Sequence, residues 1–453
     1  MGRLYQVQSQ LDLASVRVPQ LFNLGIDAVA EGAEAGTAGY RVQNWLWMSQ
    51  TMVMQLEDSE VETVLKHPEV DWVYPDRFVD VTLGKEDVGS GPDDWYRDPI
   101  QLDERGDHAG LAGNGVRIAV LDTGFDPGVI DVGNRLVEFR DFTSNPRIEP
   151  SDPEGHGTAV VNLIASSKNG LAPKAEIVVA RVIEEILLDG DPGVRRRQVG
   201  AFASRILESM QWIVDQQISD KTRIKVVNGS WGFPTDVDLP PGIFRDALVQ
   251  MRNMGMLPIF AAGNGPSADP GAVQIPAIYP EVLAVGASTP EGARARFSAI
   301  GPVTADPNFV KPEIVAPGVY LPGLPRKARG SDAPSPTRIK GTSYACGIVS
   351  GAAALLLEAH PEATIDQIQE SLTLSAHDLG PLGPDRETGR GELRVVDALA
   401  HLDQASPGSA SPVMAGAARL IPRASVLASG WPPVALLTRS PLMGAPTGVS
   451  GIR

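Results

Sequence analysis

The stretch VRIAVLDTG, residues 116–124, contains an apolar run that ends in an aspartate and a glycine. Such a run is typical of a parallel β-strand that is covered on both faces. Five runs of this kind lie along the chain, at residues 116–121, 177–182, 224–227, 257–261 and 282–285. Helical patterns lie between them, at residues 156–166, 201–217 and 244–254. This alternation predicts an α/β fold with a doubly wound parallel sheet, in which ligands bind beyond the carboxyl ends of the strands.

The sequence pattern is different before and after this region of alternating strands and helices. Residues 1–83 contain three apolar stretches and a capping box, which predict a small α+β domain. The stretches lie at residues 5–7, 45–56 and 70–81, and the capping box opens a helix at Ser59 that stops at Pro68. Residues 84–98 are acidic and Gly-rich and are predicted to be a linker to a main domain of residues 99–403. The Pro- and Gly-rich residues 404–453 contain no acid and are predicted to form an irregular tail.

Composition excludes several classes of protein. The 453 residues include 39 Lys and Arg against 55 Asp and Glu, a net charge of −16. This charge repels phosphate backbones and anionic lipid, so we expect neither a nucleic-acid nor a membrane partner. Cys346 is the only cysteine, which excludes an intramolecular disulfide. Because the first twenty residues also lack an apolar signal core, we expect a cytoplasmic protein.

Four polar residues lie at strand ends or helix starts. Asp122 follows the first strand, although an aspartate there is also a common turn former. His156 lies between two glycines, which allow either backbone or a substrate to approach closely. Ser343 opens a helix whose dipole favours an oxyanion, although a serine there is also a common N-cap. Asn264 is either a left-handed turn residue or an amide donor to a developing oxyanion.

The chain order Asp122, His156, Ser343, with Asn264 ahead of the serine, is that of a known serine protease triad. Across residues 113–400 the chain resembles the subtilisin-like serine proteases (subtilases, peptidase S8). Further motifs carry this resemblance: NGLAP at 169–173, NGSWG at 228–232, FSAIGP at 297–302 and KPEIVAPG at 311–318. The resemblance implies a serine endopeptidase with a subtilisin-like fold that forms an acyl-enzyme on Ser343.

The resemblance also implies where the substrate binds. One segment is expected to pair with the substrate backbone, and another to line the pocket for the side chain before the scissile bond. These residues are Ser230, Trp231 and Gly232 for the first segment, and Ala261, Ala262 and Gly263 for the second. We expect a protein or peptide substrate and no cofactor. No metal site is predicted, because residues 165–168 are too short for the calcium-binding loop of secreted subtilisins.

The N-terminal domain resembles, in its pattern, the inhibitory propeptide of the same family. It is therefore expected to act as an intramolecular inhibitor, with cleavage within residues 84–98 relieving the inhibition. The alternative is an unrelated small α+β domain. For the whole chain, we predict an intracellular enzyme that processes a limited set of substrates. The alternatives are a catalytically silent scaffold that keeps the fold, and an enzyme of general protein turnover.

Overall fold

The computed structural model describes most of the chain from Arg3 to Gln404. The described residues are 3–9, 41–49, 51–56, 58–66, 70–86, 94–102, 110–189, 195–219, 224–240, 242–266, 268–302, 309–327, 334–335 and 337–404. The predicted tail beyond Gln404 lies outside them, and so do residues 87–93 of the predicted linker.

An antiparallel sheet of four strands forms the N-terminal part, in the order β2-β3-β1-β4. The elements are β1 (Arg3–Ser9), β2 (Arg41–Leu46), β3 (Thr51–Leu56), α1 (Asp58–Leu65) and β4 (Val70–Pro75), followed by β5 (Phe78–Asp80) and β6 (Lys85–Glu86). The prediction of one strand over residues 45–56 is wrong, because the chain turns at 47–49. There the buried Ser49 hydroxyl donates to the carbonyl oxygen of Leu46.

A parallel sheet of seven strands forms the centre of the molecule and confirms the predicted fold class. Its strand order is β15-β14-β13-β12-β7-β9-β8. The elements of this part are β7 (Arg117–Asp122), β8 (Leu136–Asp141), α2 (His156–Ala165), β9 (Glu176–Arg181), β10 (Glu184–Asp189), β11 (Arg195–Phe202), α3 (Ala203–Ser219), β12 (Ile224–Gly229), α4 (Arg245–Asn253), β13 (Leu257–Ala261), β14 (Leu283–Ser288), β15 (Ile314–Pro317), β16 (Leu321–Pro322), β17 (Arg326–Lys327), β18 (Pro334–Ser335), β19 (Arg338–Lys340), α5 (Thr342–Ala359), α6 (Ile365–Leu374) and α7 (Val395–Gln404). A 3₁₀ turn at Gly133–Arg135 precedes β8.

Alternate side chains of β7, a central strand of the sheet, enter two different hydrophobic clusters. From β7, Ile118 and Val120 join a cluster with α2 and α5, whereas Ala119 and Leu121 join a second cluster with α3 and α4. Burial on both faces explains why this strand is apolar throughout. Among the described residues only α5 has the length and hydropathy of a membrane span, and 89% of that window is buried inside the protein, as in a core helix.

The N-terminal part packs on the central part beside α3. Strand β5 pairs antiparallel with β11, where Val79 lies opposite Ala201. The Asp76 carboxylate accepts the backbone N–H and the hydroxyl of Ser204, the second residue of α3. Arg77 forms an exposed ion pair with Asp238 at 2.7 Å. The chain then runs from β5 across the carboxyl ends of the central strands.

Candidate active site

Asp122 ends β7 and is fully buried. Its Oδ1 lies 2.7 Å from Nδ1 of His156 and accepts the backbone N–H of Thr123 at 2.7 Å. Its Oδ2 is buried and has no hydrogen-bond donor among the described residues. An acceptor at Nδ1 fixes that nitrogen as the N–H donor, so Nε2 is the proton acceptor of the neutral ring.

Helix α2 begins at His156 and packs closely on the turn after β7. A Cβ on Gly157 would overlap the carbonyl oxygen of Gly124, so glycine is needed for this approach. The Gly157 N–H donates to Oγ1 of Thr123 at 2.8 Å, and that hydroxyl donates to the Asp152 carboxylate at 2.8 Å. These contacts hold the imidazole at the carboxyl edge of the sheet.

Ser343 is the second residue of α5 and is fully buried. The Ser230 hydroxyl donates to its carbonyl oxygen at 2.8 Å, which ties the start of the helix to the segment after β12. The first N–H groups of a helix have no partner within it and create positive potential, which stabilises an oxyanion at this serine. The next residue, Tyr344, lies against His156 with ring centroids 5.4 Å apart.

The amide of Asn264 has a fixed orientation. Its Oδ1 accepts the backbone N–H of Thr342 at 2.8 Å and the hydroxyl of the same residue at 3.1 Å. The Nδ2 group therefore points away from α5 and donates to the carbonyl oxygen of Leu83 at 3.4 Å. The positive φ of this turn, 117°, belongs to Gly263 and not to Asn264, so the left-handed alternative does not apply.

The peptide bond between Leu83 and Gly84 of the chain itself lies beside Ser343, His156 and Asn264. The Gly84 N–H lies 3.1 Å from Oγ of Ser343 and 3.2 Å from Nε2 of His156. The carbonyl oxygen on the other side of the same bond is that of Leu83, which faces Asn264. The structure therefore brings Ser343, His156 and Asn264, three of the four predicted catalytic residues, around one peptide bond. The fourth, Asp122, contacts the other ring nitrogen of His156.

The segment that carries this bond is extended and is held on both sides. Before it, the Thr82 N–H donates to the carbonyl oxygen of Gly232 at 2.9 Å in an antiparallel bridge. After it, β6 pairs antiparallel with β19. A Cβ on Gly84 would overlap the ring of Tyr344, so only glycine fits at that point. Residues 84–86, which the sequence predicts to be linker without strand pattern, thus include a short strand.

The first predicted substrate-binding segment contacts the crossing chain through its backbone. Gly232 forms the bridge to Thr82. The side chains of Ser230 and Trp231 are buried instead, and the Trp231 Nε1–H donates to the carbonyl oxygen of Leu121 at 2.9 Å. These two side chains help to position the segment.

The second predicted segment lies at the end of β13. Ala261 and Ala262 are buried, and the Gly263 N–H donates to Oγ1 of Thr342 at 3.1 Å. Gly263 also faces the side chain of Gln274, which contacts Thr82. Sequence reasoning missed Gln274, because no motif marks it and only the folded chain brings it to the site.

Two groups near the site, buried Cys346 and half-buried Glu154, have altered acidity. Burial raises the pKa of the Cys346 thiol above its ordinary value. Its Sγ lies 3.3 Å from Oδ1 of Asn228, which also accepts the Ser350 hydroxyl at 2.9 Å. A protonated, buried thiol acts as a packing group. Burial and the neighbouring Glu185 likewise raise the pKa of Glu154, two residues before the active-site histidine.

The stretch of residues 165–168 forms a closed turn after α2. The Ser166 hydroxyl donates to the carbonyl oxygen of Asn162 at 2.8 Å, and the Asn169 amide donates to Oδ1 of Asn162 at 3.2 Å. These polar groups bond to one another and do not fit a calcium ion, which takes six to eight oxygen ligands. Within the described ranges, no group of three or more His, Cys, Asp or Glu residues could hold a metal ion.

A family model supports the class that this fold and site indicate. The model of the subtilase family (peptidase S8) matches residues 113–391, more than half of the chain. The chain belongs to the subtilase family. The matched range does not include the N-terminal part, so the resemblance of that part to a propeptide stays a prediction.

Curated proteases are similar to this chain over the same region. The subtilisin-like protease PopC of Myxococcus xanthus (strain DK1622) is 32% identical over 303 residues, 62% of this chain and 59% of that protein. Subtilisin NAT of Bacillus subtilis subsp. natto is 30% identical over 279 residues, 60% of this chain and 63% of that protein. Serine protease AprX of Bacillus subtilis (strain 168) is 30% identical over 292 residues, 58% of this chain and 61% of that protein. The match spans about 60% of the length of each relative.

Proposed function

We propose that the chain is a serine endopeptidase whose N-terminal part blocks its own active site. One observation carries the proposal. The peptide bond between Leu83 and Gly84 lies with its N–H against Ser343 and His156 and with its carbonyl oxygen against Asn264. A substrate peptide in an acyl-transfer enzyme needs this arrangement of nucleophile, base and oxyanion donor.

The reaction follows from the positions of these groups. Neutral His156 accepts the hydroxyl proton of Ser343 at Nε2 while the serine oxygen attacks the substrate carbonyl carbon. Asp122 keeps the imidazole in the required tautomer and stabilises the imidazolium that forms. Asn264 and the Ser343 N–H stabilise the oxyanion, and His156 then returns the proton to the leaving amine. Water then attacks the acyl-enzyme carbonyl carbon while His156 accepts its proton, and His156 returns that proton to Ser343 as the acid product leaves.

The contacts of the N-terminal part support its role as an intramolecular inhibitor. Strand β5 extends the β10–β11 hairpin, and Asp76 binds the first turn of α3. The Asn44 amide donates to the Glu208 carboxylate on the same helix. The docked part thus directs residues 82–86 across the site. The cut that relieves inhibition would fall at Leu83–Gly84, where the predicted linker begins.

We propose further that the enzyme acts in the cytoplasm on a limited set of proteins or peptides. Its one cysteine is a buried free thiol, so the fold uses no disulfide and suits a reducing compartment. Occupation of the site by the chain's own segment supports controlled cleavage and argues against general turnover. Cell fractionation tests the location, and cleavage of a peptide library separates narrow from broad specificity.

A fluorophosphonate probe tests the catalytic proposal. Such probes react with activated serines, so the wild type should be labelled after a cut near residue 84 and Ser343→Ala should not. Ser350→Ala is the matched control, because Ser350 lies two turns further along the same buried helix and should not affect labelling. If neither the full chain nor the cut chain reacts, the proposal fails and the silent scaffold is favoured.

A further inference from the structure

Strand β6, which follows the Leu83–Gly84 bond, pairs with the strand that leads into the nucleophile helix α5. Lys85 lies opposite Lys340 of β19, and α5 begins two residues later. The two backbones also approach closely, since a Cβ on Gly341 would lie 2.6 Å from Cα of Gly84. The pairing therefore holds the Gly84 nitrogen near the nucleophile, and it does not depend on the bond to Leu83.

The chain is anchored again a short distance beyond β6. The Trp95 Nε1–H donates to the carbonyl oxygen of Val319 at 2.9 Å, and Tyr96 and Ile100 are buried in the cluster with α2 and α5. Trp95 follows Gly84 by only eleven residues. A tether this short keeps an amine at an effective concentration on the order of millimolar, even when β6 separates from β19.

The residues before the bond are held as firmly. Strand β5 pairs with β11, the Val81 N–H donates to the carbonyl oxygen of Val199 at 3.2 Å, and the Thr82 N–H donates to that of Gly232 at 2.9 Å. None of these hydrogen bonds uses an atom of the Leu83–Gly84 peptide bond. Cleavage of a peptide is normally favoured by the freedom that the two separating ends gain, and ends that stay held do not gain it.

The crossing segment also leaves little room for water at the nucleophile. Beneath it, Ser343 is 0% and His156 4% exposed. The Gly84 nitrogen already lies 3.1 Å from Oγ of Ser343 and 3.2 Å from Nε2 of His156. Burial disfavours the charged ammonium, so a free amine at this point would be favoured in its neutral, nucleophilic form.

We propose that the docked enzyme is also a peptide ligase for its own chain, which remakes the Leu83–Gly84 bond after it has been cut. The inference rests on the proposed peptidase function and adds the reverse reaction at the same site. An amine that is held beside its target reacts as if it were highly concentrated, and it therefore competes with water for the acyl-enzyme.

The ligation reverses the steps of cleavage. The Leu83 carboxylic acid condenses with the Ser343 hydroxyl, which forms the ester and releases one water. The Gly84 amine then attacks the ester carbon, so that a C–N bond forms and the C–O bond to Ser343 breaks. His156 accepts the proton of the amine at Nε2 and returns it to the serine oxygen.

Incubation of the full chain in water labelled with ¹⁸O tests the proposal. Hydrolysis places the label in the new Leu83 carboxyl group, and only ligation carries it back into an intact chain. Trypsin cuts after Arg77 and Lys85, so the peptide of residues 78–85 contains the bond. After denaturation and digestion in ordinary water, mass spectrometry should show this peptide with ¹⁸O in the wild type and without it in Ser343→Ala.

A variant of the docking contact tests whether the anchors are needed. Asp76→Ala removes the acceptor of two hydrogen bonds from Ser204. Because a piece that departs cannot be rejoined, the labelled fraction of the 78–85 peptide should fall by about twofold or more. Asp76→Asn keeps one acceptor oxygen and should give a value between those of Asp76→Ala and the wild type.

Three outcomes would overturn the proposal, and they are distinguishable. If the cut piece carries ¹⁸O at Leu83 while the 78–85 peptide stays unlabelled, the bond is cut and never remade. If neither is labelled although Ser343 reacts with a fluorophosphonate, the enzyme does not act on this bond. If Ser343 does not react at all, even after a cut near residue 84, the peptidase function itself has failed.

Discussion

The amide of Asn264 can present its NH₂ to the site only because Thr342 holds its oxygen. Replacement by alanine removes a donor to the charge that develops in the transition state, while ground-state binding is affected less. We expect Asn264→Ala to lower kcat by about 10²- to 10³-fold with a smaller change in KM, a magnitude established on subtilisin.

Asn264→Asp provides the matched comparison. It keeps the shape of the side chain but has no donor, so its kcat should also fall. Steady-state kinetics of both variants after a cut near residue 84 measure the effect. A kcat of Asn264→Ala within a few fold of wild type would remove this residue from the proposed oxyanion site.

Cys346 lies three residues after the predicted nucleophile, and its thiol is buried against Asn228. Because burial raises the thiol pKa, the protonated form persists at mildly alkaline pH, and thiolates are the reactive species. We expect iodoacetamide to leave the native protein unmodified and to alkylate it in denaturing urea. Mass spectrometry measures the adduct. Native alkylation at the rate of a free cysteine would show that the helix opens readily.

The sequence predicted the position of those candidate residues that a local pattern marks. Asp122 and His156 come directly at a strand end and a helix start, and the sheet brings such ends together. Gln274 has no such signal, since its place between two glycines arises from contacts with segments distant in sequence. The contact between Gln274 and Thr82 could not be predicted either, because the two residues belong to different parts of the chain.

At the scale of elements, the five apolar runs of the central sheet were placed within a few residues. Burial on both faces gives each of them a continuous pattern. Strand β8 was missed because several of its side chains are exposed at the edge of the sheet. The turn at residues 47–49 was missed because Trp47 and Met48 are as apolar as the strands around them. Strand β6 was missed because pairing with β19 fixes it, and its own composition does not.

The hydrogen bonds that Ser204 donates to Asp76 link the start of α3 to the residues between β4 and β5. Loss of a capping side chain costs about 0.5–2 kcal/mol, so Asp76→Ala should weaken the docking of the N-terminal part. We expect peptide hydrolysis by the full chain to rise by about 2- to 30-fold, as follows from that free energy. Asp80→Ala is the control, because Asp80 is an exposed carboxylate on the neighbouring strand. Equal rates for the two variants would contradict a role of the cap in inhibition.

At the scale of the whole molecule, the chain crosses the active site between two anchored strands. Strand β5 is paired with β11 on the side before Leu83, and β6 is paired with β19 on the side after Gly84. The extended segment is therefore held at both ends, as a substrate would be in an enzyme that adds a strand to bind it. The pairings of β5 with β11 and of β6 with β19, both within this chain, thus hold the Leu83–Gly84 bond at Ser343.

These two anchors imply that cutting the chain and freeing the enzyme are separate events. After a cut at Leu83–Gly84, the β5–β11 pairing and the Asp76 contact remain, so the N-terminal piece would stay bound as a tight product. Activity would then obey mass action, and the specific activity of the cut protein should rise on dilution as the piece dissociates. Progress curves begun by dilution should show a lag whose length does not depend on peptide concentration. Constant specific activity over a wide range of protein concentration would mean that the piece departs at once, and that the cut alone sets the timing of activation.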